Sequence, residues 1–272
     1  NDGKNKRYEV VDGVQVIRRG GFYTVYAWAF FYYIFRFRNK FDVIIDSENG
    51  IPFFTPLYVR KPIIGLVHHV HQEVFRKHLS FPLSQIARFL EGKLMPAVYK
   101  DIKLITVSQS SKEDMQKIGL GKKFAIGIIH PGVDLEQFKA EPKTKEPSVI
   151  YLGRLKPYKS IETAIEVIDI LSKNIKNLTL TIVGEGESRS RLEELVTLKG
   201  LQNIVRFTGR VTDAVKAQLL AESWVMIQPS TMEGWGITAI EANAAGTPVV
   251  ASDVPGLRDS VNNPHTGILV PA

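Results

Sequence analysis

A glycine-rich segment that carries two glutamates, Glu233 and Glu241, holds residue types suited to binding a phosphorylated ligand. It follows an apolar run that predicts a strand at 225–227 and precedes a helical pattern at 237–245. Because glycines at 234 and 236 have no side chain, the backbone can come close to a ligand there. A helix start presents unpaired amides and a positive dipole end to an anion. The segment therefore predicts an anion site whose two carboxylates contact different parts of one ligand.

A basic loop follows a second predicted strand, Ser148–Leu152. A diphosphate needs fixed positive charge, and the forked donors of arginine match phosphate oxygens. Arg154 and Lys159 are therefore candidates for phosphate binding, whereas Lys156 is expected to face solvent. Basic residues in loops usually contact only water, so this loop indicates a phosphate site only in combination with the glycine-rich segment.

The elements that must position these residues alternate along the chain, which indicates βαβ units and parallel sheets covered on both faces. A polar stretch with two prolines, 139–147, interrupts the alternation. We predict two doubly wound α/β domains, residues 1–138 and 139–272, joined by the crossing segment 131–138. Ligands of such folds bind at the carboxyl ends of strands. Strands are predicted at Val14–Ile17, 43–45, Ile63–Val67, 104–107, 125–129, Ser148–Leu152, 178–183, 204–208, 225–227 and 248–251, and helices at 112–118, 161–174, 189–199, 213–221 and 237–245.

Three histidines, His68, His69 and His71, follow the predicted strand Ile63–Val67. Imidazoles at this spacing admit three interpretations, which are a metal site, rings that pack at a strand end, and a histidine that faces the active site. We favour the active-site interpretation and expect no metal.

Composition narrows the classes of function only slightly. The chain has 272 residues, no cysteine and a net charge of +7, which excludes thiolate chemistry and suggests an anionic ligand. The sequence lacks the long lysine and arginine tracts that would indicate a nucleic-acid module. The absence of cysteine fits a cytoplasmic location. The aromatic run 22–35, followed by Arg36 and Arg38, is too short to span a bilayer. It predicts either a buried helix or a face that contacts a membrane surface.

Several motifs in one order are similar to a known family. They are Gly153-Arg154-Leu155 with Lys159, Val183-Gly184-Glu185-Gly186, Phe207-Thr208-Gly209, and Glu233-x7-Glu241 followed by 245–251. The chain resembles the retaining glycosyltransferases of family 4, which share the two-domain GT-B fold. The resemblance covers nearly the whole chain.

The resemblance implies a transfer of sugar from a nucleotide diphosphate sugar, with a uridine or guanosine base, to a sugar, glycan or lipid-linked acceptor. Arg154 and Lys159 would stabilise the leaving diphosphate, Glu233 would contact the donor sugar, and Glu241 would hold the ribose. His68, at the end of its strand, matches the family histidine best, with His69 and His71 as alternatives. The anomeric configuration would be kept, with no metal, no cofactor and no nucleic-acid partner. Further donor contacts would come from Gly153, Gly184, Gly209, Arg210, Val211, Gly234, Trp235, Gly236, Ile237 and Thr238.

Other motifs are given simpler interpretations. Arg189 stands where a dinucleotide fingerprint starting at Gly184 needs its third glycine, which disfavours a nicotinamide enzyme. Ser108 is predicted to cap a helix. The family pattern begins with a strand and glycine-rich turn before Asn1 and continues beyond Ala272, so we expect a chain trimmed at both ends. A nucleotide-sugar-binding relative without catalysis is the alternative function.

Overall fold

The computed structural model describes residues 6–21 and 24–272. The chain forms two compact units. The first contains the residues up to 106 together with 112–128, and the second contains 107–111 and 129–272. The segment 129–138 therefore groups with the second unit, whereas the predicted domain boundary lies after residue 138.

The first unit is built on a parallel sheet of four described strands in the order β3-β4-β5-β6. A hairpin of β1 and β2 precedes it as a separate antiparallel pair. The expectation that Val14–Ile17 belongs to a parallel sheet was therefore wrong, because the tight turn at Asp12 and Gly13 folds it back onto its neighbour in sequence. The strands are β1 Tyr8–Val11, β2 Val14–Ile17, β3 Ile44–Glu48, β4 Ile63–Val67, β5 Lys103–Thr106 and β6 Gly127–Ile128.

Helices surround a small apolar core in this unit, centred on Val67, Met95, Tyr99, Leu104 and Met115. Two helices continue into π-helical turns, Tyr33–Phe37 and Leu90–Leu94, and a 3₁₀ turn covers Thr55–Leu57. The helices are α1 Val25–Tyr32, α2 Gln72–His78, α3 Leu83–Phe89, α4 Met95–Val98 and α5 Gln109–Lys117.

Helix α1 is not the buried helix that the aromatic run 22–35 allowed as one interpretation. No residue of Val25–Tyr32 is buried, and Phe35 in the following turn is 81% exposed. The helix is apolar on every side, so packing one side leaves the others exposed. Residues 22 and 23 of the run lie outside the described residues. Within the described ranges, every helix is too short or too polar to cross a bilayer.

The second unit is a parallel six-stranded sheet in the order β12-β11-β10-β7-β8-β9. The chain moves outward in one direction from β7 to β9 and then returns to the other side of β7 with β10. This reversal is the point at which open α/β sheets bind ligands. Its strands are β7 Ser148–Leu152, β8 Thr179–Val183, β9 Val205–Gly209, β10 Val225–Gln228, β11 Val249–Ser252 and β12 Gly267–Val270.

Helices of the second unit pack through apolar stripes. Helix α6 buries Ile161, Ala164, Ile165 and Ile168, the spacing at which side chains share one face. Two apolar clusters form the core, one containing α6 and the other containing α9. The helices are α6 Ile161–Ser172, α7 Arg189–Leu198, α8 Asp213–Glu222, α9 Ile237–Ala244 and α10 Leu257–Ser260, with a 3₁₀ turn at Pro157–Lys159.

Candidate functional site

A cavity of about 370 Å³ opens at the carboxyl ends of β7 and β8 and at the start of α9. It lies at the reversal of strand order, where the fold places ligands. Most of its lining residues were predicted donor contacts, and the others are the strand ends Leu152 and Val183 together with Glu185 and Lys216. The lining residues are Leu152, Gly153, Arg154, Val183, Gly184, Glu185, Arg210, Val211, Lys216, Ile237, Thr238 and Glu241.

Two glycines shape this cavity. A Cβ at Gly184 would collide with the carbonyl oxygen of Gly153, so the loops after β7 and β8 touch through bare backbone. Gly236 has a φ of +81° and precedes α9, where a Cβ would lie 2.8 Å from the side chains of Leu257 and Ser260. No described side chain caps α9, so the amides of its first turn are available to an anion.

Two arginines bring positive charge to the cavity. Arg154 is exposed and donates a hydrogen bond to the hydroxyl of Tyr158 at 3.0 Å. Arg210 is also exposed and lines the same cavity. Across the described ranges, neither guanidinium has a carboxylate partner. Their charge is therefore available to a phosphate.

Two residues predicted separately, Lys159 and Glu233, lie beside this cavity and outside its lining, and their side chains contact each other. The ammonium of Lys159 donates to Oε1 of Glu233, which also accepts from Gln228 Nε2 at 2.9 Å and from Ser230 Oγ at 3.0 Å. Lys159 is buried, and its side chain is held in the 3₁₀ turn after β7. Lys159 thus offers its charge to a ligand only by sharing it with Glu233.

Lys216 is the main cation that sequence reasoning missed. Its ammonium lies 2.7 Å from Oε1 of Glu241 and 3.1 Å from Oδ1 of Asp213, and it sits over the ring of Phe138. Burial by itself lowers the pKa of Lys216, but hydrogen bonds to both carboxylates and their charges together outweigh it and raise the pKa. A signal was present, because Lys216 follows Asp213 by three residues on one helix face. Lys216 lies within a helix, whereas the predicted cations lie in the loop directly after a strand.

Trp235, predicted to contact the donor, is engaged with the protein itself. Its indole stacks on His130 with ring centroids 4.3 Å apart and donates a hydrogen bond to the carbonyl of Pro131 at 3.1 Å. His130 in turn donates from Nδ1 to the carbonyl of Val107 at 2.8 Å. Gly209, Gly234, Trp235 and Gly236 do not line the cavity, and Gly236 acts through the helix start it permits.

The serine cluster at 108–111 behaves as a helix cap, as predicted. Ser108 Oγ accepts the backbone N–H of Ser111 at 3.1 Å, which satisfies one of the free amides at the start of α5. Ser110 binds Asp259 and accepts the N–H of Gly256 at 2.9 Å. These bonds connect the cap to the loop before α10.

The histidines lie in the first unit, in the loop after β4. His68 Nε2 shares a hydrogen bond with the hydroxyl of Ser47 at 3.2 Å, and burial together with nearby His71 lowers the pKa of His68. The rings of His69 and His71 lie 3.8 Å apart. In the described residues, no three metal-binding side chains gather closely enough to hold an ion.

A buried acid pair lies at the carboxyl end of β3. Asp46 and Glu48 both contact the hydroxyl of Tyr99, at 2.6 Å and 2.8 Å. Since a tyrosine hydroxyl carries a single proton, one carboxyl must carry a proton to complete both bonds. Burial and the charge of Asp46 raise the pKa of Glu48 to about 8, while Oε2 of Glu48 has no partner in the described region.

Comparison with known proteins now decides the family. Residues 133–272 match the model described as glycosyl transferases group 1, and residues 1–137 match the model described as glycosyltransferase family 4. The chain belongs to the group 1 glycosyltransferases. Its α/β architecture with parallel sheets is the GT-B type, as predicted.

Relatives of this group 1 chain include the glycogen synthase of Mycobacterium tuberculosis, which is 28% identical over 211 residues, covering 75% of this chain and 50% of the relative. The chain thus spans about half the length of the curated relatives it matches. Among solved structures, the sucrose-phosphate synthase from Thermosynechococcus elongatus has a TM-score of 0.80 at 22% identity, covering 99% of this chain and 73% of that one. Anabaena HepE in complex with UDP-glucose has a TM-score of 0.72 at 22% identity, covering 91% and 68%.

Proposed function

We propose that the chain belongs to a retaining, metal-independent glycosyltransferase that moves a sugar from a nucleotide diphosphate sugar to an acceptor. The observation that carries this proposal is the cavity at the strand-order reversal. As far as the described residues show, it combines two arginines without carboxylate partners, an uncapped helix start and the buried carboxylate of Glu241. These are groups that a diphosphate and a ribose need at one place.

The mechanism follows from where negative charge grows. When the bond between sugar and diphosphate breaks, the leaving phosphate becomes more negative, and positioned cations lower the barrier. We assign this task to Arg154 and the first amides of α9, with Lys159 beside them. Glu241 accepts hydrogen bonds from ribose hydroxyls, and Glu233 accepts them from the sugar. The departing phosphate takes the acceptor proton, so no protein nucleophile is required.

The pairing of Lys159 with Glu233 supports a binding role for Glu233. A general acid must carry a proton, but Oε1 of Glu233 accepts three hydrogen bonds, one of them from an ammonium. Glu233 is therefore suited to accept hydrogen bonds from a sugar.

For the substrates, we propose a UDP-sugar as donor, with a GDP-sugar as the alternative, and a sugar, glycan or lipid-linked acceptor. HepE has been solved with UDP-glucose, and this chain shares its fold. The histidines His68, His69 and His71 belong to the unit that we assign to the acceptor.

A nucleotide-sugar panel tests the proposal. Thermal unfolding is measured with uridine, guanosine and adenosine diphosphate sugars, because a ligand that binds the folded state raises the transition temperature. Release of free nucleoside diphosphate is then followed with and without candidate acceptors. We expect one base to stabilise the protein and its release to depend on acceptor. Stabilisation without release under any acceptor would make the protein a non-catalytic binder and refute the transferase proposal.

We further propose a peripheral contact with the cytoplasmic face of a membrane through α1. The exposed side chains of Trp28, Phe31 and Phe35 lie close to Arg36 and Arg38 in the chain, a combination that suits an anionic lipid surface. Sedimentation with anionic liposomes should capture the protein, and Phe31→Ser with Phe35→Ser should release it. Equal capture of the variant would refute this contact.

A further inference from the structure

A buried carboxylate in the first unit contacts the histidine loop, which we define as residues 68–71. Glu91 lies in the π-helical turn Leu90–Leu94 and is 3% exposed. Its Oε1 accepts the backbone N–H of His71 at 2.6 Å. Its Oε2 accepts from the side-chain amide of Gln72 at 2.8 Å. One carboxylate therefore ties the end of the loop and the start of α2 to a neighbouring helical segment.

The imidazole of His71 is also fixed by its surroundings. One contact is the ring of His69, 3.8 Å away between centroids, and another is the ring of Phe75, 5.6 Å away. His71 is 8% exposed, so water screens its charges weakly. Nδ1 lies 3.4 Å from Oε1 of Glu91 and has no hydrogen-bond partner in the described residues.

The position of the carboxylate decides which ring nitrogen carries the proton. A lone pair on Nδ1 would lie 3.4 Å from a buried carboxylate oxygen and be repelled by it. A proton on Nδ1 turns that contact into an attraction. Nε2 then holds the lone pair, the state in which a histidine accepts a hydrogen bond.

We propose that Glu91 is a positioning residue of the transferase. It anchors the histidine loop, and it selects the Nδ1–H tautomer of His71. Its influence on turnover rests on the proposed function, but the tautomer of His71 does not. The π-helical turn supports this role, since such turns occur frequently at functional sites.

The test combines a spectrum with kinetics. In the full chain labelled with ¹⁵N, long-range correlations to the ring protons report the tautomer of each histidine, and His71→Gln identifies the His71 signal. We expect Nδ1–H at His71 in the wild type and a mixture of tautomers in Glu91→Gln. The same variant should lower kcat by about 10- to 100-fold while the affinity for UDP stays unchanged.

Glu73→Gln is the matched control, because Glu73 lies on α2 but is exposed, and among the described side chains it pairs with Arg76. Its kcat and the spectrum of His71 should equal those of the wild type. An Nε2–H tautomer in the wild type, or a wild-type kcat in Glu91→Gln, would overturn the proposal. The wild-type spectrum decides even if Glu91→Gln fails to fold. A wild type that shows the expected tautomer but never turns over any donor contradicts the proposed function instead.

Discussion

Arg154 and Lys156 stand two residues apart in the loop after β7, yet their surroundings differ. Arg154 lines the cavity, whereas Lys156 does not. The ammonium of Lys156 pairs with Oε2 of Glu187 at a distance of 3.0 Å. We expect Arg154→Ala to weaken UDP binding by about 10- to 100-fold and uridine binding hardly at all, because hydrogen bonds to a charged phosphate are lost. Calorimetry with both ligands measures this, and Lys156→Ala serves as the control. Equal losses for UDP and uridine would exclude a phosphate role for Arg154.

Glu48 gives a prediction about stability and pH. Its pKa in the folded protein is about 8, above the ordinary value of 4.5, so the folded state holds the proton more tightly than the unfolded state. The stabilisation that protonated Glu48 gives the folded state is complete below the pKa of Glu48 in the unfolded chain, and it is lost as pH rises toward 8. Over that window the free energy of unfolding should fall by about 1.4 kcal/mol per pH unit relative to Glu48→Gln. Denaturant titrations of both proteins at several pH values measure the difference, and parallel curves would contradict it.

Sequence reasoning pointed to residues that follow strands, because the fold brings strand ends together. Arg154 and Gly184 follow β7 and β8 and both line the cavity. It did not find Lys216 or Glu91, whose partners Glu241 and His71 are distant in the chain. It also could not foresee that Trp235 stacks on His130, because only the folded loop brings these rings together.

At the scale of elements, the start of α9 depends on Gly236. Alanine there would hold a strained positive φ and press against Leu257 and Ser260. We expect Gly236→Ala to cost about 1–2 kcal/mol of stability and to weaken UDP binding through a displaced helix start. Gly132→Ala is the control, since a Cβ there meets nothing within 4 Å. Chemical denaturation measures the stability of both variants, and calorimetry measures their affinity for UDP. Equal stability and equal affinity in the two variants would contradict the prediction.

Helices α8 and α9 are joined by Lys216 and Glu241. The Glu241 side chain is 12% exposed, so removing the ammonium leaves a largely buried, unpaired carboxylate. Lys216→Met should cost about 1–3 kcal/mol, and adding Glu241→Gln should recover most of that loss. A double-mutant cycle by denaturant unfolding measures the coupling. Strictly additive losses would show that the pair contributes nothing.

Helices and strands were predictable where the period and the length of the apolar pattern indicated the same type of element. Ile63–Val67 and Ser148–Leu152 were predicted with the observed bounds, and α6 begins at Ile161 as expected. The hairpin strand β1 and the edge strand β12 were missed, because half-exposed strands carry a weak apolar signal. The sequence left both a buried and an exposed α1 open, since its composition is apolar on every side.

At the scale of the whole molecule, a net charge of +7 adds to the local charge of the cavity. Because the Debye length shrinks from about 10 Å at 0.1 M salt to about 3 Å at 1 M, long-range attraction is screened over that range. The dissociation constant for UDP should therefore rise by about tenfold over the same range. The dissociation constant for uridine should stay constant, because uridine carries no phosphate. A salt-independent affinity for UDP would place its phosphates away from the cations.

The contact between Gly184 and the carbonyl of Gly153 affects how a saturation library of this chain should be interpreted. Every side chain at 184 collides with backbone, and the same is true at Gly186, where a Cβ would strike the carbonyl of Leu155. Both positions will score as intolerant although neither supplies a reacting group. Intolerance there reports the spacing of two loops, so only losses at positions such as Arg154, whose side chain is exposed, identify chemistry.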